Sequence, residues 1–196
     1  GGRILPTQRN YWLSVLFIPL IIGILAGLTW FNFRFSIQQP GGNDFLARWT
    51  GAHYWVMKDI SPYDPQVSQA AQKMIYGRLA DPKAGEDVAS FVYPLFSMIF
   101  FAPFGALDYT LARALWMTLL EVCLVLTAIV SIRLANWKLR PVGFALVIFF
   151  SLLWYNGVRT LILGQFSGVN ALLIVAGIFL IIVTDSAFSL VLHYIR

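Results

Sequence analysis

The chain is short of charge and of the residues that build metal or disulfide sites. Of its 196 residues only 12% are charged, with two histidines and one cysteine. Soluble domains carry about 25% charged residues, so a water-soluble globule is the first class excluded. The lone Cys123 lies deep in an apolar run and has no internal partner, which excludes a disulfide framework. Neither His53 nor His193 has a partner at zinc-ligand spacing, so the residues give no metal site, and a divalent cation remains unspecified. The net charge is +5, with a pI near 9.6. The basic residues flank apolar runs and form no patch on a soluble module, which excludes nucleic acid as the partner.

What is abundant is apolar surface. Hydrophobic residues make up 59% of the chain and aromatics 16%. They cluster into five runs, at residues 11–31, 91–107, 111–134, 141–155 and 161–183. A span needs about 20 apolar residues to cross the hydrocarbon core. These runs therefore predict an all-α, polytopic transmembrane bundle forming a single domain over 1–196. Residues 11–31 lack an Ala-x-Ala site and read as a retained span rather than a signal peptide. Arg3 and Arg9 ahead of the first run predict a cytoplasmic N-terminus, which puts the polar stretch 32–90 outside. One conflict remains in this count. Five spans also put Arg133, Lys138 and Arg140 outside; a re-entrant second run would move them inside.

The stretch 32–90 carries its own pattern. Phe45, Trp49, Ala52 and Val56 follow Asn43-Asp44 at helical spacing, with either of those residues able to cap. Asp64-Pro65 starts a second helix, with Val67, Ala71, Met74 and Arg78 on one face. Both read as amphipathic helices lying on the membrane, apolar side down. Residues 81–87, with Pro82 and Gly85, read as a mobile link.

Chemistry has few places to sit. Asp44 lies just past the first run, at a helix start, where free amides and the dipole favour a carboxylate. It reads either as a cap or as a general base at the membrane surface. Asp64 reads as turn-and-cap chemistry, and Tyr63 and Trp49 as interfacial aromatics able to line a sugar site. Arg113 and Glu121 sit within an apolar run, where charge is costly and faces a bundle interior or a pathway. Gln165, after Gly164, can bridge helices or bind a ligand oxygen. These residues alone leave an enzyme, a transporter or channel subunit, and a non-catalytic assembly factor open.

The order of motifs narrows this. Asn43-Asp44-Phe45, residues 49–55, Ser61-Pro62-Tyr63-Asp64-Pro65, Phe91-Val92-Tyr93-Pro94, residues 103–107 and 112–116, and Gly164-Gln165-Phe166 together resemble glycosyltransferase family 87. The resemblance implies a GT-C-like fold and transfer of a sugar, mannose-like, from a polyprenyl-phosphate donor to a lipid or glycan acceptor. It places that chemistry at the outer face of a bacterial plasma membrane. It maps the catalytic base to Asp44. Asn43, Trp49, Tyr63, Asp64, Tyr93, Arg113 and Gln165 stand beside it as the candidate substrate contacts, and no residue stands as a metal ligand. Leu95 stands where the family carries a second proline. The family's later spans and Lys-Pro motif are absent, which implies an N-terminal portion of a longer protein.

Overall fold

The computed structural model describes residues 6–39 and 41–195, with side chains at 17–39 and 41–184. The anchors Arg3 and Arg9 fall outside the described side chains. Among the described residues the chain is helical, without strands. Helix α1 (Pro6–Gln38) precedes a compact cap of α2 (Asn43–Lys58), α3 (Pro65–Tyr76) and the short α4 (Met98–Gly105). Then come α5 (Tyr109–Leu134), α6 (Pro141–Leu153), α7 (Tyr155–Leu163) and α8 (Ser167–Ile195).

The first run extends further than residues 11–31, because α1 continues to Gln38. Its polar positions do not have to leave the helix, since α5 satisfies them. Asn32 Nδ2 donates to Thr118 Oγ1 (3.1 Å) and to Glu121 Oε2 (3.2 Å), and Thr29 and Thr118 share a hydroxyl bond. Higher up, Ser36 bonds the Met117 sulfur and Arg113 reaches the Gln39 carbonyl. These pairs run in opposite directions along the two helices, so α1 and α5 are antiparallel.

The second run holds only a short helix. Phe91 and Tyr93 are in irregular backbone, Pro94 opens a 3-10 turn at Leu95–Ser97, and α4 ends at Gly105. Together Leu95–Gly105 is an apolar helix of about 16 Å at 1.5 Å per residue. A hydrocarbon core is about 30 Å thick. Its inner face, Met98 and Phe101, packs in the core with α2, while Leu95, Phe96 and Ile99 stay exposed. Gly105 is where the two backbones meet: a Cβ there would lie 2.7 Å from the Ala52 carbonyl oxygen.

The fourth and fifth runs also divide differently. Helices α6 and α7 are bent by 50° at Trp154, and residues 161–163 belong to α7 rather than to the last span. Gly164 makes the turn into α8 with φ 70, a left-handed conformation suited to glycine, and a Cβ there would strike Phe45. Among the described residues three helices are long and apolar enough to cross a membrane, or four if the bent pair counts as one. Five runs were expected to span, and 91–107, whose re-entrant alternative was noted, is not among these candidates. Arg133, Lys138 and Arg140 lie at or just beyond the end of α5 opposite Arg113.

The amphipathic face of α2 exists but meets protein. Phe45, Leu46, Trp49 and Ala52 are buried among Phe101, Trp116, Phe166 and their neighbours on α4, α5 and α8. The expected membrane-facing apolar side is therefore the inner wall of the cap. Helix α3 ends at Tyr76 with Gly77 as a left-handed cap, so Arg78, expected on its face, lies beyond it. The segment expected to be a mobile link is tied down. Gln72 donates to the Val88 carbonyl and accepts from the Ala80 amide. Tyr76 receives the Asp87 amide, and Arg78 makes a two-pronged pair with Glu86 at 2.7 and 2.8 Å. The Arg78 hydrogen bond, aided by the Asp81 amide, holds the exposed Glu86 carboxyl below its ordinary value.

Candidate functional site

The junction of α1, α2, α5 and α7 is built by two glycines. Gly41 and Gly42 both have positive φ, and Gly42 is the residue before α2 in the left-handed region. A Cβ on Gly42 would lie 2.7 Å from Arg113 Nε and 2.8 Å from the Tyr109 hydroxyl. Only glycine lets the chain pass between those side chains and still enter a helix. Tyr109 in turn donates to the Gly41 carbonyl (2.6 Å).

That turn decides the role of Asp44. Neither Asn43 nor Asp44 caps α2; Gly42 stands at the cap with no side-chain bond, and Asp44 is the second residue of the helix. Its carboxylate makes no hydrogen bond or ion pair among the described residues. It is half-buried and lines a cleft of about 300 Å³ with Arg48, Tyr76, Asp87 and Ser90. Asp64 is the contrast: its carboxylate caps α3 by accepting from the Gln66 amide (2.9 Å).

Arg113 is 2% exposed. Its two terminal nitrogens donate to the Gln39 carbonyl (2.7 Å) and the Ile162 carbonyl (3.3 Å), joining the end of α1 to the end of α7. Its Nε has no partner, and among the described residues it has no carboxylate. It lines a second cleft, of about 600 Å³, with Ser36, Gly41, Asn43, Tyr109 and Thr110. Asn43 and Ile75 line both clefts, so the two adjoin at the start of α2.

The remaining expected contacts are less united. Trp49 is 7% exposed, and its indole nitrogen donates to the Phe104 and Leu107 carbonyls, so its ring serves the core rather than a cleft wall. Tyr63 donates to the Tyr93 carbonyl (2.6 Å), and the Tyr93 ring carries the Arg48 guanidinium 4.9 Å from its centre. Gln165 follows the Gly164 turn, its amide nitrogen bonded to the Thr160 carbonyl, and lines neither cleft. Glu121 pairs with Asn32 in the wall of an apolar groove between α1, α5 and α7. Sequence reasoning passed over Arg48, Tyr109 and Asp87. Arg48 had a readable signal, since it lies four residues after Asp44 and hence on the same helix face. Among the described residues no group of three His, Cys, Asp or Glu is placed to hold a metal ion.

The profile of glycosyltransferase family 87 matches residues 91–189, half of the chain. The chain belongs to glycosyltransferase family 87. Membership makes it part of a membrane glycosyltransferase, with a sugar donor and an acceptor. The matched stretch holds Tyr93, Arg113 and Gln165, and begins after Asn43, Asp44 and Asp64. No curated protein and no solved structure matches the chain.

Proposed function

We propose that this family 87 chain carries the acceptor-activating half of a transfer from a polyprenyl-phosphate sugar to a lipid or glycan hydroxyl. Asp44 is the general base. The observation that carries this is a first-turn carboxylate that, among the described residues, caps nothing and pairs with nothing, on the wall of a cleft. Asp44 takes the proton from the acceptor hydroxyl as its oxygen attacks the anomeric carbon, and the bond to the donor phosphate breaks. Arg48 and Asp87, in the same cleft, are suited to hydrogen-bond the other hydroxyls of a polyol. The donor class is tested by transfer in membranes holding the full-length protein. Radiolabelled mannose is expected to move from a polyprenyl monophosphate; direct transfer from a nucleotide sugar alone would overturn the donor reading.

Both clefts lie at the end of α5 opposite Arg133, Lys138 and Arg140. The positive-inside tendency therefore supports a cytoplasmic N-terminus and chemistry at the outer face of a plasma membrane. A cysteine at Ala84, exposed beside Gly85, should react with an impermeant maleimide in intact cells. One at Gly2 should react only after permeabilisation. The reverse pattern would put the clefts inside.

A further inference from the structure

We infer that the two clefts divide the reactants by charge: the Arg113 cleft takes the phosphate of the lipid donor, and the Asp44 cleft takes the acceptor. This rests on the reading of the chain as a lipid-phosphate-dependent transferase. Buried charge is costly, and a guanidinium held 98% out of solvent ordinarily has a carboxylate beside it. Arg113 has carbonyl dipoles on two nitrogens, an orphaned third nitrogen and no counter-ion among the described residues. Among the described residues it is the sole charged side chain lining its cleft, where the neutral donors of Asn43 and Thr110 join it. An anion there supplies the missing compensation. The neighbouring cleft has the opposite balance, with Asp44 and Asp87 against Arg48. Two carboxylates repel a phosphate and suit a neutral polyol.

The anion has a hydrocarbon side. Phe35 lies under the Arg113 guanidinium, 5.7 Å from ring centre to carbon, and Arg113 bonds the Ile162 carbonyl. Both Phe35 and Ile162 also line the apolar groove of about 470 Å³ between α1, α5 and α7. The guanidinium thus stands between a polar cleft and a lipid-facing groove, which selects a lipid phosphate over free phosphate. Asn43, on the wall of both clefts, marks where phosphate leaves and acceptor arrives.

The test places one reporter cysteine in each cleft of the full-length protein in nanodiscs: Thr110→Cys beside Arg113, and Ser90→Cys beside Asp44. Buried Cys123 gives the background labelling rate. Farnesyl phosphate at ten times its Kd should slow maleimide labelling of the Thr110 reporter about tenfold, by mass action. It should leave the Ser90 reporter unchanged. Farnesol and inorganic phosphate at the same concentration should protect far less. Arg113→Gln should raise the Kd for farnesyl phosphate about 10- to 100-fold, the usual loss of a charge-assisted contact, with Arg113→Lys in between. Protection at Ser90 in place of Thr110 would overturn the assignment. So would equal protection by farnesol or inorganic phosphate, or an unchanged Kd in a monodisperse Arg113→Gln protein. If neither Arg113 variant folds, the two reporters in the wild-type background still decide which cleft takes the phosphate. Asp44→Asn should still show farnesyl phosphate protection at Thr110 and none at Ser90, so failure of the general-base reading is separable from failure of this one.

Discussion

Trp116→Ala is expected to destabilise the protein by about 3–5 kcal/mol, the usual cost of emptying a large aromatic from a packed site. Trp116 is fully buried. It stacks on Phe45 at 5.0 Å, packs Phe101 at 5.2 Å and Phe104 at 5.5 Å, and donates its indole N–H to the Gly164 carbonyl at 3.0 Å. One ring therefore fastens α2, α4 and the α7–α8 turn onto α5. Removing it leaves a cavity and an unpaired carbonyl together. For a chain of this size the thermal midpoint should fall by about 6–20 °C. Trp116→Phe, which keeps most of the ring and loses the hydrogen bond, should cost less. A Trp116→Ala midpoint within a degree or two of wild type would mean that this aromatic cluster does not hold the cap to the spans.

The aromatic cluster also explains what the sequence could and could not reveal. Helices α5 and α8 were legible because their composition is uniform and long, and lipid asks for nothing else. The run 91–107 has the same composition and half the meaning. Its Phe91, Met98 and Phe101 are apolar because they face α2, not because they face lipid. Hydropathy does not tell those two surroundings apart, and only the brevity of the helix between Pro94 and Gly105 separates them. The same ambiguity misplaced the inner face of α2, whose spacing was right and whose partner was protein. At the first helix the error ran the other way. Asn32 and Ser36 looked like the start of a loop, yet their partners Thr118, Glu121 and Met117 lie more than eighty positions away.

At the site, residue types were legible and geometry was not. Asp64 with Pro65 has a local signature, and the local structure follows it. Asp44 has a cap-like signature too, but the left-handed Gly42 takes the capping position and leaves the carboxylate unspent. That outcome depends on Arg113 and Tyr109 crowding Gly42 from another helix, which no window around residue 44 contains. Arg113 was visible as a charge in an apolar run. Its lack of a counter-ion became visible only once every neighbouring element was in place.

The account rests most heavily on Asp44 as the base, and one substitution pair isolates that role. Asn is nearly isosteric with Asp and cannot remove a proton from a hydroxyl, and Asp44 holds no partner whose loss would disturb the fold. Transfer from a radiolabelled polyprenyl-phosphate sugar should be measured in membranes at matched levels of full-length protein. Asp44→Asn should lower the rate about 10²–10⁴-fold, the usual contribution of a positioned general base. Asp64→Asn should stay near wild type, because Asn caps a helix about as well as Asp. Near wild-type turnover in Asp44→Asn, or a dead Asp64→Asn beside an active Asp44→Asn, would contradict the account.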